Sequence, residues 1–259
     1  MNLTHHQKQA IYDQGFVRIP GVVPQVMIEQ ALKAVNHSIG EGMNKDEMVT
    51  LRSRSYCPEI QRNQTITDLF NQTPARSLAE SAIGEGRINP VSSGQIAIRF
   101  PMFQDPPNLP HPHLDGMHSP HNGVPQGKIL NFTALVAVFL SDVPAPFSGN
   151  FTVWPATHHL YEEYFREQGP QSLLQGMPPI QLPEPQHIIA KAGDVVLCHY
   201  QVAHTAAVNV SPFPRYAVLF RLTHVEHEAQ KDEAMTDIWL EWEGMKDIVA
   251  DVPAAPTNQ

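Results

Sequence analysis

Cysteine is nearly absent from this chain, with only Cys57 and Cys198 among 259 residues. Two thiols cannot make a disulfide framework, so the fold must rest on an apolar core, and the expected compartment is the reducing cytoplasm. The first ten residues, MNLTHHQKQA, lack the apolar stretch of a signal peptide, which fits the same compartment. Apolar runs of the roughly 18 residues needed to span a membrane are missing too. Positive charge is scarce: 17 Lys and Arg face 26 Asp and Glu, giving a net charge of −9, and only seven of the cations are lysine. That balance argues against nucleic acid or an anionic membrane as a partner, since both call for a basic face. Internal repeats and low-complexity segments are also lacking. What the chain has in quantity is proline, 24 residues, and histidine, 14. So much proline, about twice average usage, favours long structured loops over long helices. The apolar fraction of 42% permits a substantial core, and the length suits one domain over 1–259.

The order of elements follows from local signals. Thr4-His5-His6-Gln7 matches a capping box, which predicts a helix from residue 5 to Gln14 stopped by Gly15. A strand is expected at Phe16–Ile19, then a turn at Pro20-Gly21. Pro24 opens a second helix with the stripe Ile28, Leu32, Val35 and Ile39, ended by Gly40. Residues 41–64 read as polar loop; Arg52, Arg54 and Arg62 within it are either solvated charges or part of a substrate-anion site. Thr73-Pro74 caps a third helix to about Ile83. The segment GQIAIRF, Gly94–Phe100, alternates as a half-buried strand and places Gln95, Ala97 and Arg99 on one face, expected to line a barrel and contact substrate. Residues 101–128 hold seven prolines, a density that suits a long loop over a site, with 116–128 as its lid. A buried strand over Leu130–Leu140 directs Asn131, Thr133, Leu135 and Ala137 toward the cavity, which makes Asn131 and Thr133 either candidate cosubstrate or substrate contacts or ordinary strand polar residues satisfied by their neighbours. Strands are further expected at Phe151–Trp154, 187–190, 194–199, 205–210 and 215–223, with a helix from Thr157 to Gln168 and a proline-rich loop at 169–186. Short strands at this spacing predict an all-β core with flanking helices, a double-stranded β-helix or cupin-like jelly roll. The core should span 91–224, on a helical support at 1–90. An amphipathic helix at 228–250, with Ala234, Ile238, Trp239, Met245 and Ile248 among charges, should pack on the barrel or serve a dimer interface, so the chain is expected as a monomer or homodimer.

The chemistry starts at His113-Leu114-Asp115. An imidazole and a carboxylate two residues apart on extended backbone return to the same side, as two ligands of one metal would. The best-placed third ligand is His204, which lies 89 residues beyond Asp115, ten beyond Asp194 and eleven before Arg215; His199 competes for the role. Two imidazoles and a carboxylate on one face of an octahedron leave three positions open, which suits Fe(II) with a chelating cosubstrate and O2. Zinc more often closes a tetrahedron or keeps three ligands and a water. Arg215 carries a permanent charge on a rigid fork, suited to the far carboxylate of a dicarboxylate. His111, His118 and His121 are read as solvated or structural loop residues.

The stretch AGDVVLCHYQVAHTAAVNVSPFPRYAVLFRL, Ala192–Leu222, resembles the end of the phytanoyl-CoA dioxygenase family of Fe(II)/2-oxoglutarate oxygenases. That family's pattern runs Gly-Asp, a strand, His, Asn five residues on and Arg eleven after the His, and this chain offers Gly193-Asp194, His204, Asn209 and Arg215 at those intervals. GNFTVWPATH, Gly149–His158, is similar to the family's "NG-x-L-x-V-x-PGSH", and GFVRIPG, Gly15–Gly21, to its "GFVVIPG" opening. Ala156 departs from the Gly of PGSH, and Ala206 stands where members often carry a small hydroxyl residue. The resemblance favours His204 over His199. It implies metal ligation by His113, Asp115 and His204 and an anchor for 2-oxoglutarate at Arg215. The implied reaction is hydroxylation of an unactivated C–H bond of a small molecule, with release of succinate and CO2. A carboxylate at position 115 favours hydroxylation over halogenation, because the family's halogenases carry Gly or Ala there. An anionic substrate is expected if Arg99 points inward. Two other classes stay open: a non-oxidative metal-dependent lyase or isomerase, and a metal-binding sensor module.

Overall fold

The computed structural model describes residues 1–250. Helix α1 (His5–Gln14) begins with the complete capping box, Thr4 and Gln7 bonding reciprocally, and stops at Gly15 with φ 80°. Strand β1 (Phe16–Ile19) and α2 (Gln25–Gly40) follow, Pro24 standing one residue before the helix rather than inside it. The segment read as polar loop forms α3 (Met48–Ser53), and α4 (Gln64–Asn71) comes next with Ile66, Leu69 and Phe70 buried. Then come α5 (Pro74–Ile83), β2 (Gln95–Arg99), β3 (Ala134–Phe139), β4 (Phe151–Val153), α6 (Thr157–Gln168), β5 (Gln186–His187), β6 (Val195–His199), β7 (His204–Ala206) and β8 (Arg215–Leu222). None of these helices is long and apolar enough to cross a membrane.

Two antiparallel sheets carry the site. The larger runs β1-β6-β3-β8-β2 and the smaller β5-β4-β7. Strand alternation divides the larger sheet between two cores. Ile96, Ile98, Val136, Val138, Leu197, Val218 and Phe220 join the core that also holds Ile11, Ile28, Leu69 and Leu78 from α1, α2, α4 and α5. The opposite parity, Leu135, Ala137, Phe139, Val196 and Cys198, packs with Phe151 and Val153 of β4 and with Tyr161 and Phe165 of α6. A slip of one residue in any central strand would exchange the two faces, so burial on both sides locks the register.

The C-terminal helix expected at 228–250 is not continuous. It is replaced by α7 (His227–Gln230), single turns at Glu233–Met235 and Glu243–Met245, and α8 (Lys246–Ala250). The reason lies in packing: Met235 is buried in the core of the small sheet, whereas Trp242, Met245 and Ile248 are buried in the core of the helical support. One straight stripe cannot face both. The chain also runs against the α5 backbone at Gly244, where no Cβ would fit beside the carbonyl of Ser81. These residues therefore seal the chain's own core.

Candidate metal centre

His113 and His204 meet as an antiparallel bridge between the long loop and β7, each amide donating to the other's carbonyl at 3.1 Å. Extended backbone at 113–115 returns Asp115 to the side of His113, and the three ligand atoms lie within 4.8 Å of one another. Asp115 Oδ1 is 3.4 Å from His113 Nε2 and 3.9 Å from His204 Nε2. These spans are near twice a metal–ligand bond of about 2 Å, so one ion can touch all three donors. Two imidazoles and one carboxylate presented from one side suit Fe(II) with open positions.

The orientation of each donor has a local cause. His204 Nδ1 donates to the Val202 carbonyl at 3.0 Å, which leaves Nε2 as the lone-pair nitrogen toward Asp115. Burial, followed by the neighbouring His113, pushes the His204 imidazole down to about 4, so it is neutral and ready to ligate at ordinary pH. Asp115 Oδ2 accepts from Arg221 at 2.9 Å (Nε) and 2.8 Å (Nη2), and the Tyr200 hydroxyl donates to the Asp115 carbonyl at 3.0 Å. Burial alone would raise the Asp115 carboxyl, but the Arg221 guanidinium and the two histidines hold it well below the usual range. Arg221 thus fixes which oxygen faces the imidazoles. Its role was legible only as parity, since Arg215, Ala217, Leu219 and Arg221 share one face of β8; nothing in the sequence pairs it with Asp115. Its Nη1 also donates to Gln95 Oε1 at 2.7 Å.

The triad opens into a cavity of about 710 Å³ walled by Ala137, Phe139, Phe151, Ala217 and Leu219. Such a volume suits a small-molecule site, typically 300–1,000 Å³. Arg215 is buried in its wall, Nε donating to the Gly149 carbonyl at 2.6 Å and Nη1 to Ala97 at 3.0 Å. Burial, then Arg99 beside it, pushes this guanidinium down to about 9, which leaves it charged at neutral pH. Gln95 and Arg99 line the same cavity. Asn209, at the interval noted above, is a structural residue: Nδ2 donates to the carbonyls of Arg99 and Phe213, both at 2.8 Å.

Two expected cosubstrate contacts lie elsewhere. Asn131 Nδ2 donates to the Lys231 carbonyl at 2.6 Å, and Thr133 Oγ1 bonds to Glu241 and accepts from the His224 amide. Of the four residues expected to face the cavity from this strand, Ala137 lines it and Leu135 packs in the core beside it, whereas Asn131 and Thr133 turn away because β3 begins at Ala134 and the chain bends at Thr133. Both residues instead anchor the C-terminal segment, where Glu241 and His227 pair at 2.8 Å. His199 is excluded from the ligand set because both its nitrogens are engaged, with the Ile238 carbonyl and the Gln201 amide. His118 Nδ1 donates to the Val124 carbonyl at 2.6 Å and stays within the loop.

No protein-family model and no curated protein matches this sequence. Solved structures do match in fold. The non-heme monooxygenase ThoJ, in its apo form, is 17% identical with a TM-score of 0.56, over 84% of this chain and 77% of ThoJ. HygX from Streptomyces hygroscopicus with iron bound is 16% identical at TM-score 0.56, over 87% of this chain and 88% of HygX. The epimerase SnoN in complex with Fe3+, alpha ketoglutarate and nogalamycin RO is 16% identical at TM-score 0.50, over 84% and 82%. At these identities the likeness establishes a shared fold with non-heme iron enzymes.

Proposed function

We propose that this chain is an Fe(II)/2-oxoglutarate-dependent oxygenase on a double-stranded β-helix, related to the phytanoyl-CoA dioxygenase family. In this reading it hydroxylates an unactivated C–H bond of a small-molecule metabolite, with 2-oxoglutarate and O2 consumed and succinate and CO2 released. The observation that carries it is the convergence of His113, Asp115 and His204 on one side of a cavity that also holds buried Arg215 without a carboxylate partner among the described residues. A lyase or a sensor needs the metal ligands but has no use for that arginine. ThoJ, HygX and SnoN support the same reading, and the epimerase among them makes the oxidative outcome the part to be tested.

Bound to the triad, Fe(II) would supply the oxygen-activating chemistry that no side chain offers. The chain's own work is positional. His204 and Asp115 are held to one tautomer and one oxygen by Val202 and Arg221. Arg215, fixed by two backbone carbonyls, would receive the far carboxylate of the cosubstrate. Apolar Ala137, Phe139, Phe151 and Leu219 keep water from the space between. Oxygen-dependent formation of one succinate per 2-oxoglutarate by the iron-loaded protein tests the reading; 2-oxoglutarate binding with no succinate under O2 rejects it.

The same reading gives residues 116–128 the part of a lid. Gly116 to Ser119 and Asn122 to Val124 border the cavity, pinned by Asn122 Nδ2 to the Met117 carbonyl at 2.7 Å and by Arg54 Nε to the His121 carbonyl at 3.3 Å. Few bonds tie this segment to the sheets, so its amides should exchange rapidly in metal-free protein and become protected when metal, 2-oxoglutarate and substrate are bound. Equal protection in both states would show that the segment is a fixed wall.

A further inference from the structure

Five arginines border the cavity, Arg52, Arg54, Arg99, Arg215 and Arg221, against the single carboxylate of Asp115. In a chain of net charge −9 this is a local inversion. Arg221 is paired with Asp115, and the cosubstrate of the proposed reaction accounts for Arg215. Arg99, Arg52 and Arg54 have no carboxylate within ion-pair distance among the described residues.

Arg99 is the most informative of the three. It stands opposite Arg215 in the β2–β8 pairing, so the two side chains leave the sheet on the same face. Gly149 fills the space beside them: a Cβ there would come within 2.8 Å of Arg99 Cβ and 3.1 Å of Arg215 Cβ. Arg215 spends two donors on backbone carbonyls, whereas Arg99 Nε is buried with no hydrogen-bond partner at all. Burial, then the nearby charge of Arg52, depresses the Arg99 guanidinium to about 10, the direction expected of a cation that lacks a counterion. Like charges facing one another across a half-buried space are costly unless an anion enters between them.

We propose that Arg99, with Arg52 and Arg54 from the α3 side, forms an oxyanion site separate from the cosubstrate anchor, and that the substrate is a small metabolite carrying a carboxylate, phosphate or sulfate group. The proposal rests on the reading above for the word substrate, but the site itself stands on the arginines. Arg54 also bonds the loop at His121 and abuts Gly123, so the anion would bridge the sheet to the segment that covers the cavity. Neutral lipids and uncharged glycosides have no group to place there.

The test uses the full chain loaded with Ni(II), which does not turn over, and saturated with 2-oxoglutarate. Inorganic phosphate, sulfate and acetate are titrated by calorimetry at constant ionic strength, and their ranking separates phosphate-like from carboxylate substrates. Saturable binding of at least one is expected, weakened roughly 10- to 100-fold in Arg99→Gln, as befits loss of charge-assisted hydrogen bonds. Arg62→Gln, outside the cavity lining, should match wild type. Arg99→Lys should keep part of the affinity, and exposed Arg52→Gln should weaken binding without touching the sheet, so a folding defect in Arg99→Gln does not end the test. Anion binding indifferent to Arg99 and Arg52 overturns the proposal. So does a loss of 2-oxoglutarate affinity in Arg99→Gln as large as that in Arg215→Gln, since both arginines would then belong to the cosubstrate. If wild type takes nickel but no 2-oxoglutarate, the proposed function fails; phosphate binding that still depends on Arg99 would uphold the oxyanion site alone.

Discussion

Alanine at His113, Asp115 or His204 should leave the protein without bound Fe(II) and without succinate formation. With only three protein donors on the ion, each removal takes away a third of the ligand set, and no other His, Cys, Asp or Glu cluster among the described residues replaces it. The loss should exceed the roughly 10- to 100-fold that follows from altering an outer partner of a metal ligand. Arg221→Gln provides that smaller comparison, because it frees Asp115 Oδ2 while leaving the three donors in place. Anaerobic titration with Fe(II) or Co(II), read by absorbance, measures all four variants. His204 and the removed ring's neighbours are buried, so circular dichroism should accompany each titration. Full metal binding by His204→Ala, with loss in His199→Ala, would reassign the ligand against the engaged nitrogens of His199.

Arg215→Leu carries the second large effect. A charge-assisted contact in a buried wall is worth about 2–5 kcal/mol when one partner is removed, or roughly 30- to 4,000-fold in affinity. The apparent KM for 2-oxoglutarate should rise within that range while the metal titration stays close to wild type. The substitution also deprives the buried Gly149 carbonyl of its Nε donor, a cost of about 1–3 kcal/mol, and removes the bond from Nη1 to the part-buried Ala97 carbonyl. A lowered melting temperature is therefore expected alongside. An unchanged KM would transfer the anchor to Arg99, the guanidinium opposite it in the β2–β8 ladder.

What could be read in advance follows a physical division. Thr4, Gln7 and Gly15 act within one turn of backbone, so α1 was legible to the residue. The alternation of GQIAIRF named the cavity face of β2, because successive residues of a strand point to opposite sides and its apolar side is the buried one. The same rule misplaced Asn131 and Thr133, since parity survives only while the strand does and a bend at Thr133 resets it. The C-terminal segment had helical periodicity but too many large apolar groups for one stripe, and two separate cores claimed them. Arg221 could be read only as a reserve anchor for the cosubstrate, because its partner Asp115 lies 106 positions away and no local pattern encodes an ion pair across the fold.

The division of labour between strands and loops bears on how such a chain can diversify. Every cavity residue on β2, β3 and β8 alternates with one packed against the helical support, so a substitution there is felt on both faces of the sheet. Arg52, Arg54 and the segment from Gly116 to Val124 belong to no sheet and border the cavity from outside it. Substitutions at these positions change the border of the cavity without breaking a bond of the ladder. One cavity thus has two kinds of position, those in the ladder, where a substitution also disturbs the packing behind the sheet, and those on its border, where it does not.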